Sequence, residues 1–273
     1  MSDTAAPLIS VLMGVLNCEK TLDECLESLT AQTESDWECI ICDDGSTDRT
    51  PEIIREWQQR LPGKIIFLRN EQNCGLSLSL NRCIHAARGK YCARMDGDDR
   101  CSPERFEKEV HYLETHPEMA IVSTDMQCFD DDGIWGLCAY PTEPQPKDLV
   151  HGTLFCHPAC MIRKEALDKV GGYSESERYR RAQDYDLWVR MYAMGYRGWN
   201  IHEPLYQYRD DRNAASRRKW KFRVQEAGNR LNAIRTFQLP VWNLVFVLRP
   251  VLLGLLPGKV SSFLHRMKVK RSS

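Results

Sequence analysis

Apolar runs and amphipathic stretches alternate regularly through the first half of the chain. A continuous apolar run at Leu8–Leu16 predicts a buried strand, and the stretch after it spaces Leu22, Leu26 and Leu29 along one helical face. Strands that alternate with helices are typical of a mostly parallel sheet with helices on both faces, so we predict a three-layer α/β/α sandwich. Further strands are predicted at Trp37–Cys42, Ile65–Leu68 and Tyr91–Met95, and further helices after Asp48, around Leu76–Ala87 and after Ser102.

The second half of the chain is less regular. Its pattern predicts a strand at Ala120–Gln127, a turn at Asp130–Gly133 and a helix at Asp184–Met194. We place the end of the compact domain at residue 213, because a basic, helix-prone run follows at Ser216–Arg235. Residues 1–213 are thus predicted to form one α/β domain, and residues 214–273 a basic and apolar helical extension.

The extension contains an apolar segment that polar residues and prolines interrupt. In Leu239–Leu256, 13 of 18 residues are Leu, Val, Phe or Trp, but Arg249 and Pro250 lie inside the run. A spanning helix needs about 20 mostly apolar residues, and a cation inside it is costly. Five cations follow the run, so residues 239–273 are predicted to lie along an anionic membrane surface. The alternative is a C-terminal hairpin packed on the domain or on a second subunit.

Composition and charge exclude several classes of protein. The chain has 273 residues, of which 42% are hydrophobic, enough to build a core, so wholesale disorder is excluded. The net charge of −1 hides an asymmetry, because residues 209–273 hold 15 Lys and Arg against 3 Asp and Glu. Cations alternate with aromatic residues at Arg217–Arg223, yet the same pattern suits anionic lipid, and we expect no nucleic-acid partner.

The cysteines and the first residues indicate a compartment. Residues 1–7 are short and polar, unlike a secretory signal, and the 12 Cys are interpreted as reduced thiols in a cytoplasm. We therefore expect a cytoplasmic protein, peripheral at the inner face of the cell membrane. The pairs Cys39/Cys42 and Cys156/Cys160 lack a second pair at zinc-finger spacing, so we interpret them as core residues rather than zinc ligands.

Polar side chains follow three of the predicted strands at the edge where ligands bind in open parallel sheets. Asn17 follows the first strand, Asp43 and Asp44 follow the second, and the acidic run Asp96–Asp99 follows the fourth. Converging carboxylates repel one another, and a divalent cation bridging to phosphate oxygens would relieve that repulsion. The residues therefore indicate a metal–diphosphate site, although each motif alone could be a turn or a helix cap. The sequence has no GxxxxGK[ST] string and no GxGxxG after the first strand, which disfavours a Walker-type phosphate site and a dinucleotide cofactor.

The combination of motifs resembles the family 2 glycosyltransferases, and within them the bacterial enzymes that assemble surface polysaccharides. The likeness covers roughly residues 8–213 in the family's order. It is carried by Ile9-Ser10-Val11-Leu12 to Asn17, Asp43-Asp44-Gly45-Ser46-Thr47-Asp48, Asn73-x-Gly75, Ala86–Tyr91, Met95-Asp96-Gly97-Asp98-Asp99, Ser102–Arg105, His157–Met161, Gly171-Gly172-Tyr173, Gln183–Trp188 and Tyr208-Arg209.

The resemblance implies a GT-A fold and an inverting transfer of a sugar from a nucleotide-diphosphate donor, usually UDP-linked, to a hydroxyl of a saccharide or lipid-linked acceptor. It implies Mn²⁺ or Mg²⁺ as the cofactor. The residue roles that it implies include Asp184 as the general base, Asp98 with Asp96 at the metal, and Asp44 at the uracil ring with Asp43 beside it. Asn17, Arg94 and Asp96 are expected at the nucleotide or donor, and His157 and Gln183 at the acceptor or donor.

One departure from the family's pattern bears on the reaction. Gln183 stands where the family usually has Glu, which removes a charge beside the expected base. This departure keeps a second hypothesis open, that of a non-catalytic nucleotide-sugar-binding or membrane scaffold protein with the same fold.

Overall fold

A computed structural model describes residues 6–210 and 220–254. The boundary predicted at residue 213 and the basic residues of the tail beyond 254 lie outside the described residues.

The first four strands form the parallel half of the sheet, in the spatial order β3-β2-β1-β4. Successive side chains of a strand face opposite sides, so Cys39 and Ile41 enter one core layer while Ile40 and Cys42 enter the other. The elements are β1 (Ile9–Val15), α1 (Leu22–Thr30), β2 (Trp37–Asp43), α2 (Thr50–Arg60), β3 (Ile65–Arg69), α3 (Leu76–Ala86) and β4 (Tyr91–Arg94).

The later strands extend the same sheet with mixed directions, and the order becomes β3-β2-β1-β4-β8-β6-β9-β5, with β7 paired to β6. The pair β6–β9 is parallel, whereas β8 is antiparallel to both β4 and β6. The elements are β5 (Arg100–Cys101), α4 (Arg105–Thr115), β6 (Ile121–Asp130), β7 (Gly133–Cys138), β8 (Met161–Arg163), α5 (Lys164–Val170), α6 (Gln183–Ala193) and β9 (Gly198–Arg209).

Helices cover both faces of the sheet. Apolar side chains of α1, α2 and α4 pack in one core layer, and those of α3, α5 and α6 pack in the other. The predicted three-layer α/β/α architecture is confirmed, with the parallel pairing concentrated in the first four strands. The fourth predicted helix begins two residues late, at Arg105, because Ser102 and Pro103 form the turn before it.

All 12 cysteines are free thiols. Cys39 and Cys42 are buried in opposite core layers, and so are Cys156 and Cys160. Neither pair can therefore converge on one metal ion, which supports the interpretation of these cysteines as core residues.

The C-terminal helices α7 (Trp220–Thr236) and α8 (Leu244–Gly254) pack against each other and against the domain. Arg230 Nη1 of α7 donates to the carbonyl of Phe246 in α8 at 3.0 Å, and the Phe246 ring meets the His151 ring edge-on at 4.5 Å. The packing agrees with the hairpin alternative for this part of the extension. The segment still leaves apolar side chains exposed, among them Trp242 (66%) and Val245 (61%). Within the described parts of the chain, no helix is long and apolar enough to cross a bilayer.

Candidate active site

Parallel pairing brings the ends of β1, β2 and β4 to one edge of the sheet. Val15 of β1 lies beside Asp43 of β2, and Leu12 lies beside Arg94 at the end of β4. Asn17, the Asp43–Asp44 pair and the acidic run after β4 therefore meet at this edge, as predicted from the order of elements.

Asn17 links β1 to the turn after β2. Its backbone N–H donates to Ser46 Oγ at 2.9 Å, and its side-chain oxygen accepts from the Thr47 N–H at 3.0 Å. Its φ of 54° lies in the left-handed region, which Asn tolerates better than most residues. Asn17 thus fixes the turn that carries the Asp43–Asp44 pair.

Asp43 and Asp44 are both buried and both hold neighbouring segments. Asp43 Oδ1 accepts from the Ser46 N–H at 2.9 Å, and Asp43 Oδ2 lies 3.1 Å from Arg69 Nε. Asp44 accepts from Asn70 Nδ2 at 2.7 Å and from the backbone N–H groups of residues 74 and 75 at 2.9 and 2.8 Å. The two carboxylates therefore shape the loop after β3, and Asp44 Oδ2, which accepts only the bond from residue 75, keeps a lone pair for one further donor.

Gly45 allows that loop to come close. Its φ is 83°, and a Cβ at this position would lie 2.8 Å from the backbone carbon of Gln72. A larger residue would therefore force the Asp43–Asp44 turn away from the 72–75 segment.

Three carboxylates crowd the loop after β4. Asp96 pairs with the buried guanidinium of Arg94, whereas Asp99 is 1% exposed. Burial raises the pKa of Asp99 well above its usual range, and the charges of Asp96 and Asp98 raise it further. Asp98 is exposed, yet desolvation of its carboxyl and then the Asp96 charge raise its pKa too. The loop concentrates more negative charge than Arg94 neutralises.

The end of β9 holds this loop in place. The Tyr206 hydroxyl donates to Asp99 Oδ2 at 2.8 Å, and the Arg209 backbone N–H donates to Asp99 Oδ1 at 2.8 Å. Arg209 Nε also donates to the Asp98 carbonyl at 3.2 Å, and its guanidinium pairs with Glu24 and Asp131. Sequence reasoning missed these roles of Tyr206 and Arg209; the Tyr208-Arg209 pair in the resemblance was the available signal.

The acidic loop suits a divalent cation bound together with a phosphate ligand. The Asp98 side chain makes no hydrogen bond to another described residue, since Arg209 contacts only its backbone carbonyl, so its hard carboxylate oxygens are available. Mg²⁺ is commonly bound by one or two carboxylates plus substrate phosphate oxygens. Across residues 6–210 and 220–254, no group of three or more His, Cys, Asp or Glu is arranged to hold an ion by itself. Asp98 and Asp96 therefore fit a cation whose other ligands come from a bound phosphate group.

His157 and Tyr173 form a buried pair whose pKa values respond to the charge of Arg94. His157 Nε2 is 2.8 Å from the Tyr173 hydroxyl, and both residues are buried. Burial, and then the Arg94 cation, hold the pKa of His157 well below its usual range, so the imidazole is neutral. Burial raises the pKa of Tyr173, with a lowering effect from Arg94 and a raising effect from Asp184. Tyr173 is thus within electrostatic range of both Arg94 and Asp184.

Asp184 lies in the first turn of α6, where the helix dipole favours a negative charge. Asp184 Oδ2 is 3.4 Å from Thr153 Oγ1, and Thr153 in turn accepts from Trp188 Nε1 at 3.2 Å. The neighbouring Gln183 Oε1 is buried and has no hydrogen-bond partner among the described residues. Asp184 also borders a cavity of about 330 Å³ between α6 and α7.

Two proteins of similar sequence carry the names of glycosyltransferases. A protein of Bacillus subtilis (strain 168) that carries the name glycosyltransferase EpsE is 38% identical over 265 residues, covering 97% of this chain and 95% of its own. The amylovoran biosynthesis glycosyltransferase AmsE of Erwinia amylovora is 30% identical and covers 94% and 98%.

Solved structures share the fold. S. aureus TarS 1-349 in complex with UDP-GlcNAc superposes with a TM-score of 0.66 at 18% identity, covering 89% of this chain and 72% of that one. The mannosyltransferase PcManGT from Pyrobaculum calidifontis, in complex with GDP-Man and Mn²⁺, gives 0.62 at 17% identity, covering 94% and 79%. The sequence model described as glycosyl transferase family 2 matches residues 10–171, more than half of the chain. The chain therefore belongs to glycosyltransferase family 2 and has the GT-A fold that its motifs predicted.

Proposed function

We propose that the protein transfers a sugar from a nucleotide-diphosphate donor, a UDP-sugar, to a hydroxyl of a saccharide or lipid-linked acceptor in surface-polysaccharide synthesis, with inversion at the anomeric carbon. The observation that carries the proposal is the acidic loop after β4, where Asp98 remains exposed beside Asp96 and the buried Asp99. Such a loop suits the diphosphate of a donor with its cation. The UDP-GlcNAc bound to TarS supports a nucleotide-sugar donor, and the name of AmsE supports a role in polysaccharide synthesis.

The residues of the proposed site have different roles in the reaction. Asp98 and Asp96 would hold Mn²⁺ or Mg²⁺ against the donor, and the cation would supply charge neutralisation for the departing nucleoside diphosphate. Tyr206 and Arg209 hold the acidic loop, while Asn17, Asp43 and Asp44 shape the turn and loop at the nucleotide.

Inversion requires a base on the face opposite the leaving group. Asp184, half-buried in the first turn of α6, would take the proton from the acceptor hydroxyl as its oxygen attacks the anomeric carbon. The neutral His157 and Gln183 are proposed to contact donor or acceptor as hydrogen-bonding groups without adding charge.

A second candidate is a nucleotide-sugar-binding or scaffold protein that does not turn over its ligand. It is favoured by Gln183, which replaces the usual charged neighbour of Asp184 and leaves a buried oxygen without a partner among the described residues. The two candidates differ in turnover.

A screen of nucleotide-sugars separates them. We expect one UDP-sugar to raise the melting temperature in the presence of Mn²⁺ and to be hydrolysed slowly without acceptor, because water can replace the acceptor hydroxyl. Liberated UDP and the thermal shift are measured together. A thermal shift with no liberated UDP for any donor would favour the binding protein. The absence of both signals would contradict both candidates.

We further propose that the C-terminal segment lies at an anionic membrane surface. The exposed apolar side chains Val241, Trp242, Val245, Leu248 and Leu252 cluster on and just before α8. The sequence places five cations after residue 256, which suit anionic head groups.

The double substitution Trp242→Ser and Val245→Ser is expected to lower co-flotation with anionic vesicles several-fold, because it removes two large exposed apolar groups. Ile134→Ser is the matched control, since Ile134 is 56% exposed and belongs to the β6–β7 hairpin rather than to α8. Equal flotation of the double variant and the unmodified protein would refute membrane contact through α8.

A further inference from the structure

The cavity beside Asp184 is rich in arginine. It measures about 330 Å³, and it is lined by residues 152–153, by the segment before α6 with the first turn of that helix, and by α7. Four guanidinium groups and two carboxylates line it: Arg178, Arg181, Arg223, Arg230, Asp184 and Glu226. The cavity therefore has an excess of positive charge next to the proposed base.

One of these arginines has a buried donor with no partner among the described residues. Arg230 is 4% exposed and uses Nη2 to pair with Glu226 at 2.8 Å and Nη1 to hold α8. Its Nε is buried and makes no hydrogen bond within the described residues. A buried donor without an acceptor is costly, and an anion in the cavity would remove that cost.

The exposed arginines are positioned to bind a phosphate. The Arg181 guanidinium stacks over the Phe222 ring, with its central carbon 4.3 Å from the ring centre. Stacking fixes the plane of the group and leaves the N–H donors at its edge, the arrangement with which Arg binds phosphate oxygens in pairs. Arg178 lies in the same wall and is also exposed.

We propose that this cavity is a binding site for a phosphate or diphosphate group carried by the acceptor, which it holds beside the hydroxyl that Asp184 deprotonates. The proposal rests on the proposed transfer reaction and names its acceptor class. The donor diphosphate belongs at the acidic loop after β4, so a second phosphate site next to Asp184 is most simply assigned to the acceptor.

Binding to the full-length protein tests the site without any turnover. Inorganic pyrophosphate, farnesyl diphosphate and farnesol are titrated calorimetrically in EDTA, which keeps a metal-dependent donor site out of the measurement. We expect both diphosphates to bind and farnesol not to bind. The double variant Arg178→Gln/Arg181→Gln should weaken both diphosphates about tenfold, because each Arg contributes charge-assisted hydrogen bonds.

Arg235→Gln is the matched control, since Arg235 is exposed on the same α7 but does not line the cavity, and it should bind as the unmodified protein does. Melting temperatures should be equal among the three proteins, because the substituted side chains are exposed.

Unchanged affinity in the double variant would overturn the proposal. So would complete displacement of pyrophosphate by UDP, which would make the site part of the donor site, or binding of pyrophosphate without farnesyl diphosphate, which would show that the site does not admit a diphosphate attached to an organic group. A protein that binds the diphosphates but hydrolyses no UDP-sugar would refute the transfer reaction and leave the anion site standing.

Discussion

Replacing Asp98 by Asn is expected to lower metal-dependent hydrolysis and transfer of the donor sugar by about a thousandfold. The substitution keeps the size of the side chain but removes the charge that would hold the cation against the diphosphate, and charge stabilisation of this kind is worth several kcal/mol in the transition state. The measurement is the rate of UDP release over a Mn²⁺ titration. Because Asp98 is exposed, the melting temperature without ligands should stay within a few degrees of the original.

Asp168→Asn provides the control for the loss of a carboxylate as such. Asp168 is exposed on α5 and pairs with Lys164, so its replacement should leave the Mn²⁺ dependence unchanged. If Asp98→Asn kept both the rate and the Mn²⁺ midpoint, the acidic loop would not be the metal site, and the diphosphate would have to bind elsewhere.

Asp184→Asn is expected to reduce transfer to the acceptor by about a hundredfold to ten-thousandfold, the range for losing a general base. Binding of the UDP-sugar should persist, since Asp184 is assigned to the acceptor side. Donor affinity is measured by calorimetry and transfer by product formation. A parallel loss of donor binding and transfer would instead indicate that Asp184 stabilises the start of α6 through the helix dipole.

Gln183→Glu tests the role of Asp184 as a base independently of the Asn variant. A second carboxylate next to Asp184 would disfavour its charged form, so the acidic limb of the pH–rate profile should move to higher pH. A purely structural Asp184 would leave that limb where it is in the unmodified protein. The comparison needs no loss of activity and therefore complements the Asn variant.

Local sequence patterns were sufficient to predict the parallel half of the fold. Strands β1 to β4 and the helices between them follow from apolar runs that alternate with helical spacing, and their order alone brings Asn17, Asp43 and the acidic run to one edge. The likeness to family 2 depended on short strings that begin in this half and continue to Tyr208-Arg209, which is why family and fold could be inferred from the sequence. The first residue of α4 was harder to predict from the sequence, because a Ser-Pro pair can open a helix or, as here, form the turn before it.

The sequence by itself determined the layered core, the sheet edge at which a ligand is proposed to bind and the acidic residues that would hold a cation there. Only the tertiary structure decided what supports them: Tyr206 and Arg209 reach Asp99 across more than a hundred residues, and Asp44 ties down the loop at residues 74 and 75. It also decided that arginines from two distant segments line one cavity with Asp184. The physical reason is that periodicity records which side of an element is buried, whereas contacts between distant segments depend on how the irregular second half packs, and no local pattern encodes that packing.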